Sequence, residues 1–154
     1  MIKFIAICSL LTITACHRGN APQTSVNEIT GSNSERVLAI SAIIGKHKVL
    51  PTGLGNAYFV EEKIGDGILG PSDFRTFYLL EIAPWDSGQW LKILTPMAEV
   101  PKYALPVRPC HWWLAESEFH SLQFYQSDTL TGRIHGWIGV SPKTGRIYIF
   151  TYTM

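Results

Sequence analysis

Three apolar stretches near the carboxyl end, separated by two short turn sequences, constrain this chain more than any other feature. In residues 146–153, Ile147 and Ile149 fall on one side of an extended chain and Tyr148, Phe150 and Tyr152 on the other. A final strand of this kind sits inside a sheet. Residues 121–126 and 133–140 read as two further strands. The turns between the three are Asp128-Thr129-Leu130-Thr131-Gly132 and Ser141-Pro142-Lys143-Thr144-Gly145, rich in residues that favour reversal of the chain. Together they predict an antiparallel meander.

Upstream, the alternation of Tyr58, Val60 and Ile64 with Phe59, Glu61 and Lys63 predicts a strand over 56–64, and residues 74–83 predict its hairpin partner. The intervening Gly65-Asp66-Gly67-Ile68-Leu69-Gly70 matches GxGxxG, but a proline and a β-rich run follow it instead of a helix. It therefore reads as a hairpin loop and not as a dinucleotide site. Ser34 is the expected N-cap of a helix over 35–44, with Val37, Ile40 and Ile44 on one face and Gly45 as terminator. Asp86 and Gln89 read as a capping-box variant, and Trp85 and Trp90 as its hydrophobic staple, opening a helix over 87–95. Pro96, Pro101, Pro106 and Pro109 then dictate an extended linker before a short helix over 112–119. The expected fold is α+β: a single domain with an antiparallel sheet of about five strands and two or three helices packed on one face.

The amino terminus is of another kind. Lys3 precedes the apolar stretch Phe4 to Leu11, which is too short for a stable transmembrane span, and the run closes in Ile13-Thr14-Ala15-Cys16. An aliphatic residue, two small residues and a cysteine resemble the lipobox of bacterial lipoproteins. The resemblance implies diacylglycerol transfer to the Cys16 thiol, cleavage between Ala15 and Cys16, and acylation of the new amino terminus. It divides the chain into a signal peptide (1–15), a lipidated tether (16–34) rich in Asn, Ser, Thr and Gly, and a globular domain (35–154). Because His17 and not Asp follows the cysteine, the expected address is the outer membrane, with the domain facing the periplasm.

Charge and cysteine content narrow the chemistry. Without Lys3 the chain holds twelve basic and twelve acidic residues, so no basic stripe invites nucleic acid. Once Cys8 leaves with the signal and Cys16 is lipidated, Cys110 is the one remaining thiol. It is expected to be buried and inert. Cys110, His111, His120 and His135 lack CxxC, HxxxH or HExxH spacing, so neither a metal nor another cofactor is expected. The carboxylates Glu61, Glu62, Asp66 and Asp73 read as a solvated hairpin end. The adjacent Trp112 and Trp113 cannot both easily face one core. One of them, with Glu116 and Glu118, is the expected partner-binding surface.

These features point to a lipid-anchored envelope binding module without catalytic activity, held to the membrane by its N-terminal lipid. The leading expectation is inhibition of a toxin or enzyme that reaches the periplasm, in the manner of immunity lipoproteins. Two alternatives are an accessory component of an envelope secretion or pilus machine, and an envelope hydrolase with a site near Cys110, His111 and His120. The anchor is checked directly by metabolic labelling with palmitate. Label should appear in the wild-type protein and vanish in Cys16→Ala, and label that persists in the variant would refute the lipobox assignment.

Overall fold

The computed structural model describes residues 25–64 and 73–153. The signal segment, the lipobox and the Gly65–Gly70 loop lie outside the described residues. Among those described, six strands form one antiparallel sheet in the order β1-β2-β3-β6-β5-β4. The strands are β1 (Ser25–Glu28), β2 (Asn56–Ile64), β3 (Asp73–Glu81), β4 (Gln123–Tyr125), β5 (Gly136–Ser141) and β6 (Arg146–Tyr152). The helices are α1 (Asn33–Gly45), α2 (Ser87–Leu91), α3 (Glu116–Phe119) and α4 (Asp128–Thr131). The α+β class is as expected, with one strand more than the five read from the sequence. The final strand is interior: β6 pairs with β3 on one side and β5 on the other.

The additional strand is β1, and it corrects the tether's boundary. Residues 25–34 are polar in composition, yet Val26 packs on one face of the sheet and Ile29 on the other. At a sheet edge, two apolar contacts and backbone pairing to β2 suffice to order a polar stretch. The helix cap also moves, from Ser34 to Ser32. The Ser32 side chain accepts from the Glu35 amide, and Glu35 accepts from the Ser32 amide at 2.7 Å. The Ser32 side chain and amide hold the Glu35 carboxyl below the usual carboxylate range.

Both faces of the sheet are apolar. On the first face Phe59, Tyr78, Leu80, Ile138, Val140, Ile147 and Ile149 meet Ile40 and Ile44 of α1, Trp90 of α2 and Leu130 of α4. Three helices thus share one face. On the second face Val60, Phe77, Leu79, Trp137, Tyr148 and Phe150 meet Trp112, Trp113, Leu114 and Phe119. Only one turn of helix, α3, lies there, and the rest of the cover is the irregular segment 101–115, which carries Pro101, Pro106 and Pro109. Prolines cannot donate to a strand ladder, so this strap is held by side chains instead. Trp137 Nε1 donates to the Lys102 carbonyl at 3.1 Å, Trp113 Nε1 to the Ala104 carbonyl at 2.8 Å, and Tyr103 Oη to the Leu114 carbonyl at 2.7 Å. Arg75 donates to the Leu105 carbonyl, and Glu62 accepts from the Val107 amide.

The expected staple at Trp85 and Trp90 does not form. Pro84–Asp86 is a 3-10 turn that runs directly into α2, so Asp86 has helical backbone angles and makes no side-chain cap hydrogen bond. Trp90 is fully buried, its indole donating to Thr52 Oγ1 at 2.9 Å, whereas Trp85 is 84 % exposed.

If the strap is held as described, Trp137→Phe should destabilise the domain by about 1–3 kcal/mol for the donor lost to the Lys102 carbonyl, with a further loss from the cavity left by the missing five-membered ring of this buried indole. Trp90→Ala should cost about 3–5 kcal/mol. Urea unfolding of the two variants checks both figures, and an unchanged midpoint for Trp137→Phe would remove the clamp from the account.

Candidate functional site

The strand register defines two ends of the sheet. At one, Glu81 of β3 lies opposite both Asn56 of β2 and Arg146 of β6; at the other, Ile64 lies opposite Asp73. At the Glu81 end of the second face, segment 111–122 stands off the sheet and leaves a groove. One part, of about 370 Å³, is walled by Tyr58, Glu81, Trp112, Glu118, Arg146 and Tyr148. A second part, of about 310 Å³, shares Glu118, Arg146 and Tyr148 and adds Ser121, Ser141 and Lys143. Each compartment falls in the size range of small-ligand sites. Charges alternate along the groove: Glu81, Arg146, Glu118 and Lys143.

The geometry around Arg146 is specific. Its Nε lies 3.3 Å from Glu81 Oε1, with both side chains partly exposed. Tyr148 and then Glu81 push the guanidinium's proton affinity up, partly opposed by burial. Burial pushes the Tyr148 hydroxyl above its ordinary value, with Arg146 acting the other way. Tyr58 stacks on Trp112 (5.5 Å between centroids, 15° between planes), and the Arg36 guanidinium lies 4.7 Å over the Tyr58 ring. The groove therefore offers hydrogen-bonding and charged groups on an aromatic wall, suited to polar or charged side chains.

Trp85 stands at the same end. Its turn is fixed against the β5–β6 reversal: the Ile82 amide donates to the Gly145 carbonyl at 2.8 Å and Ser87 Oγ to the Pro142 carbonyl at 3.3 Å. The fit is close enough to require glycine at 145, which has φ 67° and where a Cβ would meet the Ile82 carbonyl oxygen at 2.2 Å.

The tryptophans chosen from the sequence are placed differently from the expectation. Trp112 and Trp113 are only 8 % and 9 % exposed, so neither is a surface aromatic. The reason is local. The Trp113 amide bonds the Cys110 carbonyl at 3.1 Å, making a turn in which neighbouring side chains need not point to opposite sides. The pair meets edge to face at 5.9 Å, and both enter one core. The helix expected over 112–119 shrinks to α3. Glu118 does line the groove, with Trp112 and Trp113 forming part of its inner wall, while the exposed Glu116 lines neither compartment.

Each histidine among the Cys–His candidates packs on an aromatic ring. His111 packs edge-on to Tyr58, His120 to Phe119, and His135 stacks on Tyr152. Asp128 begins α4, on the face of the sheet opposite the one Cys110 packs against. Cys110 is half-buried, and burial, reinforced by Glu28 and Glu62, pushes its thiol up, away from the thiolate form. Among the described residues no three His, Cys, Asp or Glu side chains converge as a metal-holding group.

The expected acidic hairpin end is not one. Glu61 is held by Arg133 at 3.2 Å in a network with Thr76 and Thr151, and Glu62 is fully buried beneath the strap. Asp66 lies outside the described residues. Comparison with known protein families, curated proteins and solved structures finds no match.

The Glu61–Arg133 network borders Tyr78, whose hydroxyl is pushed up to about 12. Burial is the leading cause, Arg133 opposes it, and Glu61 adds to it. A folded-state value above the unfolded value of about 10 means that the native protein holds this proton more tightly. Its contribution to stability is complete below pH 10 and is lost as pH rises from 10 towards 12. Urea unfolding across the alkaline range should show that loss, and Tyr78→Phe should flatten it; an equal slope in the variant would contradict the assignment.

Proposed function

We propose that this protein is a lipid-anchored cell-envelope binding protein that inhibits a toxin or enzyme reaching the periplasm. The observation that carries the binding role is Trp85. A tryptophan 84 % exposed on a turn fixed by backbone hydrogen bonds wastes apolar burial in the free domain. Such a residue is the type of anchor that dominates protein interfaces when a partner covers it. At the same end of the sheet, the groove with Glu81, Arg146, Glu118 and Lys143 supplies polar and charged contacts that fix register and reject wrong partners.

Support for the envelope comes from the Ile13-Thr14-Ala15-Cys16 lipobox, and for the outer membrane from His17 after the cysteine. Support for a non-catalytic role comes from the Cys110 thiol, which burial pushes up and away from the thiolate form. Inhibition by a small neutral domain needs no chemistry of its own, only a surface that covers another protein's site.

The test is titration of the purified lipoprotein against the product of the neighbouring gene. Inhibition saturating at one-to-one stoichiometry is expected, whereas binding without inhibition would move the protein to an accessory role in an envelope machine. Trp85→Ala should leave stability within about 0.5 kcal/mol and weaken the complex by at least roughly 30-fold. Wild-type affinity in that variant would remove Trp85 from the interface.

A further inference from the structure

Three separate pieces of chain carry charge into the groove on the second face, and each is fixed. From β6 come Arg146 and Tyr148, with Arg146 opposite Glu81 of β3 on one side and Ser141 of β5 on the other. From α3 comes Glu118, whose carbonyl accepts from the Ser121 amide at 3.0 Å and from Ser121 Oγ at 2.7 Å. Its neighbour Phe119 is buried against Phe124 and Trp137. From the β5–β6 turn comes Lys143. There the Ser141 carbonyl accepts from the Thr144 and Gly145 amides, and Thr144 Oγ1 lies 2.9 Å from Ser141 Oγ.

The charged side chains that line the groove are Glu81, Glu118, Arg146 and Lys143, two of each sign, with His111 on the same wall. Arg36 and Glu35 are near but line neither compartment. Arg36 is spent on the Gly31 and Ala57 carbonyls and Asn56 Oδ1, and Glu35 on Ser32. Asp86 and Glu116 also stand outside both compartments. The lining is thus neutral as a whole, but its charges are unequally used. Glu81 and Arg146 are paired, whereas Glu118 and Lys143 form no ion pair among the described residues.

Arg146 keeps donors to spare. Glu81 engages its Nε and Tyr148 bonds the same side chain, and a guanidinium has more N–H groups than these contacts use. Glu118, Arg146 and Tyr148 border both compartments, so a carboxylate without a partner and a guanidinium with free donors meet at the junction. Trp112, on the wall of the first compartment, adds an indole N–H. Trp90, Trp113 and Trp137 donate theirs to Thr52, Ala104 and Lys102, but Trp112 Nε1 has no hydrogen-bond partner among the described residues.

A neutral lining with unspent charges of both signs complements a ligand that is itself neutral and carries separated charges. A purely anionic ligand would face Glu118, and a purely cationic one would face Arg146 and Lys143. We infer that the groove binds a zwitterionic α-amino acid at the Glu118–Arg146 junction. Glu118 holds the ammonium and Arg146 the carboxylate, with Lys143 adding attraction from the second compartment. The inference adds a small-molecule ligand to this protein and rests on neither the lipid anchor nor the identity of a protein partner.

The experiment is an NMR titration of the purified lipoprotein in detergent micelles at constant ionic strength. The probes are alanine, alanine amide, which keeps only the positive charge, and N-acetylalanine, which keeps only the negative one. Alanine should shift the Trp112 indole and the Arg146 and Tyr148 amides saturably, and each analogue should bind roughly 10-fold or more weakly. Glu118→Gln should erase the advantage of alanine over N-acetylalanine, and Arg146→Gln its advantage over alanine amide. No shift with alanine overturns the site. An analogue that binds as well as alanine reduces it to a site for a single ion and overturns the zwitterion. Wild-type discrimination in both variants overturns the assignment of Glu118 and Arg146.

Discussion

A sheet apolar on both faces needs two covers, and everything else in this domain follows from how the second is made. The first face is served in the ordinary way, with α1, α2 and α4 laying Ile40, Ile44, Trp90 and Leu130 on it. The second is covered by a segment whose prolines forbid it from joining the sheet. An irregular cover brings backbone carbonyls and amides close to an apolar face, where each needs a partner. The sheet supplies Trp137, Arg75 and Glu62 as those partners, and the cover's own Trp113 and Tyr103 supply two more.

That arrangement explains where the aromatic residues go. Indoles combine large burial with a single donor, so they suit an interface in which polypeptide backbone meets hydrocarbon. Trp113 and Trp137 do both tasks on the strap, and Trp90 does the same against Thr52. Trp85 does neither, which is why its exposure carries functional weight. The groove arises from the same cause: an irregular cover leaves a gap at the Glu81 end that a packed helix would have filled.

Five of the six strands are legible from residue pattern; β1 is not, because its polar residues read as tether. Residues 56–64 were read with the observed limits, and the alternation in 146–153 correctly placed Ile147 and Ile149 opposite Tyr148 and Phe150. Period-two patterns survive folding because the backbone geometry of a strand imposes them locally. The helix cap was read two residues late, since Ser32 and Ser34 offer the same hydroxyl and only the reciprocal bond with Glu35 separates them. The Trp85–Trp90 staple and the exposed tryptophan of the 112–113 pair were misread for one reason. Both depended on whether a short segment was extended, turned or helical, which Pro84 and the Cys110–Trp113 turn decided.

By itself the sequence determined the α+β class, the interior position of the last strand and the lack of a recognised metal or nucleophile spacing. Each of these is a local or compositional property. The tertiary structure alone decided that Glu62 is buried, that Trp112 and Trp113 share a core, that Trp85 is the exposed aromatic, and that Glu81, Glu118 and Arg146 meet in one groove. Those facts depend on contacts between residues tens of positions apart. No local pattern encodes them, because the free energy that sets them comes from what the strap finds when it lies down on the sheet.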